Sequence, residues 1–276
     1  MPVNGAATKV LPSMFAARLA TGAALLAVFG WALLYLPNPW WNALLMPILL
    51  GASWEWGRLA GYASGAQWGF CALILGSAFA LWLGAGPGLA VTVFAISCAF
   101  WLLLAPAWLA MRWRVRSPVA LALTGWIVLV PTWLALVRLQ AEPVHLLALL
   151  GIVWLADTGA YFTGRAWGRH KLAATISPGK TWEGVVGAAA AVAVYYVTLS
   201  RGFPDWDWWR NGRGVLLFVG VALVSVVGDL FESWMKRQAG TKDSGALLPG
   251  HGGVLDRIDS MTSSMPFAAA LLFLTK

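Results

Sequence analysis

Long apolar runs alternate with short polar connections along almost the whole chain. Most runs approach the roughly 20 residues that an α-helix needs to cross the hydrocarbon core of a bilayer. Because a spanning segment must satisfy its own backbone hydrogen bonds, the pattern predicts an all-α integral membrane protein, a polytopic helical bundle with about nine transmembrane helices. The predicted spans are residues 15–36, 41–59, 67–84, 88–110, 118–138, 144–163, 183–200, 213–232 and 260–275.

The connections between these runs are too short to hold a separate soluble module, so residues 1–276 are interpreted as a single membrane domain. Composition supports this class, since 60% of the residues are hydrophobic and 11% are charged, against about 25% charged in soluble proteins. Residues 1–140 are interpreted as N-terminal transmembrane helices and residues 141–276 as the catalytic half. A re-entrant helix stays open as an alternative for the second and third runs, which contain Pro47 and many glycines.

The first half carries little candidate chemistry. Glu55 lies near the end of a predicted span, and the sequence favours its pairing with Arg58 one turn later. The arginines that precede Pro118 are interpreted as an orientation signal. No catalytic role is expected for these residues, namely Glu55, Arg112, Arg114 and Arg116.

Basic residues are distributed unevenly between the two sides of the predicted bundle. With the N-terminus in the cytoplasm, 14 of the 19 Lys and Arg residues fall on the inner side, as the positive-inside rule requires. This distribution predicts a multi-pass protein of a bacterial-type inner membrane with its polar loops facing the cytoplasm. The net charge of +8 then reflects topology, so membrane lipids are expected as partners and nucleic acid is not. The outer basic residues are Arg138, Arg201, Arg210, Arg213 and Lys276.

One polar segment, residues 233–259, concentrates charged side chains and glycines between two apolar runs. Lys and Arg neutralise phosphate oxygens, glycines allow close backbone approach, and carboxylates suit Mg²⁺. A solvated loop of mixed charge is the alternative. Function is favoured because Asp256 and Asp259 share one face if the segment is helical. It is also favoured because Asp229 and Glu232 end the preceding apolar run, where ionisable groups are costly unless they work or are paired.

Two further polar elements precede that segment. Asp157 lies in an apolar predicted helix, where a central carboxylate costs roughly 2.5–3.5 kcal/mol, so a functional or paired role is expected. Residues 176–184 lead into the seventh span. Ser177 or Thr181 is the candidate N-cap of that helix, whose free N–H groups would favour an anion. An ordinary positively charged inner loop is the alternative for this segment.

Together these elements resemble the signature of the phosphatidate cytidylyltransferases, also called CDP-diglyceride synthases. The resemblance is strong over residues 150–262 and rests on hydropathy alone in the first half. The segment from Ser177 to Gly184 is similar to a family motif, although Gly179 stands where a lysine is frequent. The other matching positions are Asp157, Ala160 and Tyr161, the segment Gly228–Ser233, and then Lys236, Arg237, Lys242, Asp243, Gly245, Leu248, Pro249, His251, Gly252, Gly253, Asp256, Arg257 and Asp259.

The resemblance implies an enzyme, a CTP:phosphatidate cytidylyltransferase of phospholipid biosynthesis. It would convert CTP and phosphatidic acid into CDP-diacylglycerol and pyrophosphate by in-line attack on the α-phosphorus of CTP. Mg²⁺ is the implied cofactor, held by Asp229 and Asp256, while a second, monovalent cation and a homodimer stay open. The other implied catalytic residues are Lys236, Arg237, Lys242, His251 and Arg257, and the implied substrate-binding residues are Asp157, Ser177, Lys180, Ser233, Asp243, Gly252, Gly253 and Asp259.

The residues support this chemistry independently. A phosphate monoester has a second pKa near 6 and is largely dianionic at neutral pH, so the lipid nucleophile needs no strong base. Because acyl chains stay in the bilayer, a lateral opening between helices is expected. Other CTP-dependent lipid enzymes, of the CDP-archaeol synthase or prenol kinase type, are alternatives. A transporter is disfavoured, since the polar residues gather at one face and no inverted repeat is evident.

Overall fold

A computed structural model describes residues 26–247 and 252–274. Nine helices follow one another along these residues, counting Pro87–Met111 as one helix because the π-helical turn Phe100–Leu104 joins its two α-helical parts. The helices are α1 (Leu26–Tyr35), α2 (Asn38–Leu59), α3 (Ser64–Gly84), α4 (Pro87–Met111), α5 (Pro118–Leu139), α6 (Pro143–Trp167), α7 (Trp182–Gly202), α8 (Arg213–Gln238) and α9 (Leu255–Leu274).

The predicted class, a helical membrane protein that crosses the bilayer several times, is confirmed. Helices α3 to α8, six in number, are long and apolar enough to cross a membrane. Large apolar side chains such as Leu103, Val186 and Val194 are exposed on the outside of the bundle, where lipid would cover them. The helices lie within a few residues of the predicted spans for most of the chain. Residues 15–25 of the first predicted span and residue 275 of the last lie outside the described residues.

The predicted loop over residues 233–259 is wrong at both ends. Helix α8 continues to Gln238 and α9 already begins at Leu255. The extension follows from residues 230–238, which contain neither Gly nor Pro and bury Trp234 and Met235 on one face. Gly240, with φ of +73°, follows the last turn and donates its N–H to the carbonyl of Arg237 at 3.1 Å.

A two-stranded hairpin, which the sequence did not predict, connects α6 to α7. Strand β1 (Lys171–Ala173) pairs antiparallel with β2 (Ser177–Thr181). His170 closes the base of the hairpin, since its carbonyl accepts the N–H of Trp182 at 2.9 Å and its Nδ1 lies 2.6 Å from Glu183 Oε1. Strands this short carry no alternating pattern, so tertiary contacts decide them.

Glycines bring the helices of the second half close together. A Cβ on Gly159 of α6 would lie 2.7 Å from the carbonyl oxygen of Gly187 on α7, and a Cβ on Gly228 of α8 would lie 2.7 Å from that of Asp259 on α9. Small residues permit such backbone contact between membrane helices. The close packing places the polar ends of α6, α7, α8 and α9 side by side.

These polar ends and the arginine-rich connection between α4 and α5 lie at one end of the bundle. Gln238 exchanges two hydrogen bonds with the backbone of Val115, at 2.7 and 2.9 Å. Asn38 and Gln140 meet at the opposite end, 2.9 Å apart. We refer to the end that contains Val115 and Gln238 as the basic end.

Candidate active site

A cavity of about 710 Å³ opens at the basic end between the hairpin and helices α6 to α9. Its wall brings together side chains that are up to about a hundred residues apart in sequence. Alanine, glycine and valine form much of the remaining wall. The predicted site residues on this wall are Asp157, Ser177, Lys180, Asp229, Asp256 and Asp259.

Lys180 and Asp229 form an ion pair across the cavity, with Nζ and Oδ2 separated by 2.6 Å. Lys180 is positioned by β2, which ends in the N-cap of α7. Thr181 is that cap, since its Oγ1 accepts the N–H of Gly184 at 3.1 Å, which confirms one of the two predicted candidates. The hydroxyl of Ser233, one turn beyond Asp229 on α8, donates to Asp229 Oδ1 at 3.4 Å. The first predicted metal ligand is therefore paired with a cation in this structure.

Lys236 bridges two acids. Its Nζ lies 2.6 Å from Glu232 Oε2 and 2.6 Å from Asp256 Oδ1. Glu232 is buried, and among the described residues no group gives its carboxylate a well-aligned hydrogen bond. Lys236 is consequently the main group that neutralises the Glu232 carboxylate, because a buried charge needs a partner. The second predicted metal ligand, Asp256, is thus also paired with a lysine.

The orientation of Asp256 is fixed from its other side. Its Oδ2 accepts the backbone N–H of Ser244 at 3.1 Å, the Ser244 hydroxyl at 3.0 Å and the N–H of Gly253 at 2.9 Å. Asp256 lies in the first turn of α9, where the helix dipole favours a negative charge. The connection before α9 therefore aims Oδ1 of Asp256 at Lys236.

Glu55, from the first half of the chain, holds this connection in place. Its side chain is fully buried, and it accepts hydrogen bonds from the N–H of Val254 at 3.0 Å, the N–H of Leu255 at 2.9 Å and the Ser244 hydroxyl at 2.9 Å. It satisfies two of the N–H groups that the start of α9 leaves without a helical partner. The predicted pairing of Glu55 with Arg58 is wrong. One feature of the sequence does indicate a structural role for Glu55, namely a carboxylate within an apolar run, where a charge is costly unless it has a partner.

The glycines before α9 serve this arrangement. Gly252 adopts φ of +81°, a left-handed conformation that other residues rarely adopt. A Cβ on Gly253 would lie 2.0 Å from Ser244 Oγ and 2.6 Å from Glu55 Oε2. Both glycines were predicted to bind substrate. In this structure the N–H of Gly253 is donated to Asp256, so substrate binding by these glycines stays a prediction.

Several predicted site residues lie away from the cavity wall. Arg237 donates its Nε to the carbonyl of Ile176 at 3.3 Å and thereby ties the hairpin to the end of α8. Lys242 and Asp243 are exposed in the connection that follows α8, and Arg257 is exposed in the first turn of α9. His251 lies outside the described residues. Roles in catalysis or substrate binding stay predictions for Arg237, Lys242, Asp243, His251 and Arg257.

Two wall residues were given no role by the sequence analysis, although Tyr161 belongs to the matched motif. Tyr161 and Arg165 line the cavity, and Arg165 Nη1 donates to the Tyr161 hydroxyl at 2.8 Å. They follow Asp157 at intervals of four residues, so all three lie on one face of α6. This spacing is the feature of the sequence that could have identified Tyr161 and Arg165 as neighbours of Asp157. Arg165 adds a cation beside Lys180 on the cavity wall.

The carboxylates of the cavity are suitable ligands for a hard cation, but they do not form a complete set of protein ligands for a metal ion. Among residues 26–247 and 252–274, no group of three or more His, Cys, Asp or Glu side chains forms such a centre. Mg²⁺ is usually bound by one or two carboxylates, with waters and substrate phosphates as further ligands. Asp229 and Asp256 line one cavity and fit that donor set. The Mg²⁺ site therefore stays a prediction that the residues are able to fulfil.

These features define a multi-pass helical membrane protein with a cavity at one end that is lined by four aspartates, Lys180 and Arg165. The profile described as the cytidylyltransferase family matches residues 16–275, and the chain therefore belongs to that family of enzymes.

Three relatives carry the name phosphatidate cytidylyltransferase. The Pseudomonas aeruginosa protein is 39% identical over 244 residues, which cover 82% of this chain and 84% of that protein. The Haemophilus influenzae protein is 48% identical over 140 residues, 48% of each chain. The Staphylococcus aureus protein is 41% identical over 138 residues, 48% of this chain and 51% of the relative. The matched region thus spans about half the length of these last two relatives.

Proposed function

We propose that this protein transfers the cytidylyl group of CTP to phosphatidic acid, giving CDP-diacylglycerol and pyrophosphate. The names of the relatives support this reaction over CDP-archaeol synthesis, prenol phosphorylation and transport. The observation that carries the proposal is that Lys180, Asp229 and Asp256 line one cavity, with Lys180 paired to Asp229 and Lys236 paired to Asp256. Both cations and metal-binding oxygens are thereby available where two phosphorylated substrates would meet.

The reaction joins two anions, so the protein must neutralise and align charge. An oxygen of the lipid phosphate attacks the α-phosphorus of CTP, a new P–O bond forms, and the bond from the α-phosphorus to the oxygen bridging to the β-phosphate breaks. Pyrophosphate leaves with that electron pair. Lys180 and Arg165 on the cavity wall, together with Lys236 that is paired with the wall residue Asp256, would hold phosphate oxygens. No covalent intermediate on a side chain is needed.

Asp229 and Asp256 would hold Mg²⁺, which supplies neutralisation of the triphosphate charge when bound. The carboxylates are paired with Lys180 and Lys236 here. If the two aspartates bind the ion, Lys180 becomes available to phosphate groups, and Lys236 keeps Glu232 as a partner while its bond to Asp256 is released. Ser233, which donates to Asp229, and the Ser244 and Gly253 N–H groups, which donate to Asp256, would keep both carboxylates oriented.

We also propose that the basic end faces the cytoplasm of a bacterial inner membrane. The positive-inside distribution supports this orientation, and CTP is a cytoplasmic metabolite. Val115 and Gln238, whose hydrogen bonds define the basic end, lie at the same end of the bundle as the cavity. A site there would receive CTP from water and phosphatidic acid from the bilayer.

The direct test is an assay of the purified protein with labelled CTP, phosphatidic acid and Mg²⁺. We expect CDP-diacylglycerol and one pyrophosphate per product. An archaetidic-acid-type ether lipid without acyl chains and a free polyprenol serve as competing substrates. Turnover of only one of these competitors, or no nucleotide-dependent product at all, would contradict the proposed reaction.

A further inference from the structure

A second cavity, of about 220 Å³, lies between α7 and α8 and is lined only by apolar residues and one tyrosine. Six positions of α7 from Val185 to Tyr196 form one wall, and six positions of α8 from Val215 to Val226 form the other. Within each helix the positions recur at intervals of three and four residues, so each wall is a straight stripe along one helix face. We call this cavity the α7–α8 groove.

The groove is continuous with the charged cavity. Val185, Ala188 and Val226 line both. Because α7 and α8 run antiparallel, these three residues lie together near Lys180 and Asp229, whereas Tyr196 and Val215 lie together at the far end. A molecule with a charged head in the active-site cavity therefore has an apolar path that begins beside that head.

The groove is about half as long as the hydrocarbon core of a bilayer is thick. From Val185 to Tyr196 the α7 helix rises about 16 Å, at roughly 1.5 Å per residue. Half of a hydrocarbon core about 30 Å thick is about 15 Å. At its far end the Tyr196 ring packs edge-on against Phe218 at 5.2 Å and Trp209 at 5.3 Å, and these rings form an aromatic floor there.

The outer side of the groove is open. Ala189 and Ala193 are exposed on α7, and Val219 and Leu223 are 50% and 56% exposed on α8. Small side chains on α7 leave the space between the helices unfilled, and the exposed residues are apolar. In a membrane this side faces acyl chains, so a lipid can enter sideways without leaving the hydrocarbon phase.

We propose that the α7–α8 groove binds one acyl chain of the lipid substrate and that its aromatic floor sets the preferred chain length. The inference rests on the proposed function, because the phosphate of that lipid is assigned to the adjoining charged cavity. It adds a chain-binding subsite and the residues that determine specificity. Ala193 and Ala222 are the positions where a larger side chain would narrow the groove at two depths.

The test compares phosphatidic acids of different chain length. Ala193→Phe places a ring about 12 Å below Val185, and Ala222→Phe places one about 6 Å below Val226, at roughly 1.5 Å of helix per residue. Ala190→Phe is the matched control, since Ala190 is also exposed on α7 but does not line the groove. The measured quantity is kcat/KM for the dioleoyl, dioctanoyl and dihexanoyl lipids in the same detergent.

Wild-type protein and the Ala190→Phe control should share one chain-length profile. Ala193→Phe should lower kcat/KM for the dioleoyl lipid about tenfold relative to the dihexanoyl lipid, since each buried methylene contributes a few-fold to binding. Ala222→Phe should extend the loss to the dioctanoyl lipid, because its ring lies nearer the charged cavity. Retained activity on dihexanoyl lipid shows that each variant is folded.

The experiment distinguishes a failure of the proposed function from a failure of the groove assignment. If the wild type does not turn over any phosphatidic acid, the proposed function is wrong. If the wild type is active and Ala193→Phe keeps the profile of Ala190→Phe, the proposed function stands and the groove assignment is overturned. A uniform loss with all three lipids in Ala193→Phe would likewise contradict a role in chain length.

Discussion

Glu55 Oε2 accepts the backbone N–H of Leu255 at 2.9 Å across 200 residues of sequence. The bond joins the first half of the chain to the first residue of α9. The Ser244 hydroxyl lies between the two acids, 2.9 Å from Glu55 Oε2 and 3.0 Å from Asp256 Oδ2, and its single proton is shared between them. A fully buried carboxylate far from the cavity in sequence therefore holds the segment whose Ser244 and Gly253 orient Asp256.

We expect Glu55→Gln to impair the site and to destabilise the protein. Both oxygens of Glu55 now accept hydrogen bonds, and the amide nitrogen of Gln could not accept one. At least one buried donor would lose its acceptor, which costs about 1–3 kcal/mol of stability. The kcat/KM should fall about tenfold or more, and half-maximal activity should require more Mg²⁺ because Asp256 is misplaced. Glu142→Gln is the control, since Glu142 is exposed at the opposite end. Unchanged Mg²⁺ dependence in Glu55→Gln would show that Glu55 does not act through Asp256.

Lys236→Met should cost more stability than Lys180→Met. Lys236 neutralises buried Glu232, with side chains 13% and 6% exposed, whereas Lys180 and Asp229 are 24% and 27% exposed. Removing one partner of a buried ion pair costs about 3–5 kcal/mol. Thermal unfolding in detergent measures the difference. Adding Glu232→Gln to Lys236→Met should recover part of the lost stability without restoring activity, and a lack of any recovery would mean that Glu232 is not the group left uncompensated.

Asp229→Asn and Asp256→Asn should each nearly abolish turnover while the protein stays folded. An amide is a weaker, neutral ligand of almost the same volume, so the expected defect is in Mg²⁺ binding. The double variant should be scarcely worse than the worse single variant, because residues that act as a unit are not additive. Asp205→Asn, at an exposed position near the start of the turn before α8, is the control. Near-normal activity and Mg²⁺ dependence in Asp229→Asn would make that carboxylate structural.

The orientation of the site is tested by cysteine labelling. Ala246 is exposed in the connection that follows α8 at the basic end, and Asp205 is exposed in the connection between α7 and α8. In a variant with Cys71 and Cys98 replaced by alanine, Ala246→Cys should react with an impermeant thiol reagent only after cells are permeabilised. Asp205→Cys should react in intact cells. The reverse pattern would place the active site outside the cytoplasm.

The sequence determined the class of this protein and most of its candidate site. Hydropathy located the helices because burial in lipid demands continuous apolar helices, a requirement that each segment meets within itself. Among the residues selected by the motif match, Asp157, Ser177, Lys180, Asp229, Asp256 and Asp259 line the cavity, whereas others such as Lys236 and Arg237 do not.

Only the tertiary structure decided which groups meet. The hydrogen bonds from Val254 and Leu255 to Glu55 could not be predicted, because the residues are about 200 positions apart in sequence. The local rule that pairs Glu55 with Arg58 predicted the wrong partner. The tertiary structure likewise showed that Lys236 lies between Glu232 and Asp256. Local sequence specifies a helix through its own backbone and its apolar face. The partner of a buried charge depends on which distant segment packs against it, because a low-dielectric interior makes an unpaired charge far costlier than any local preference.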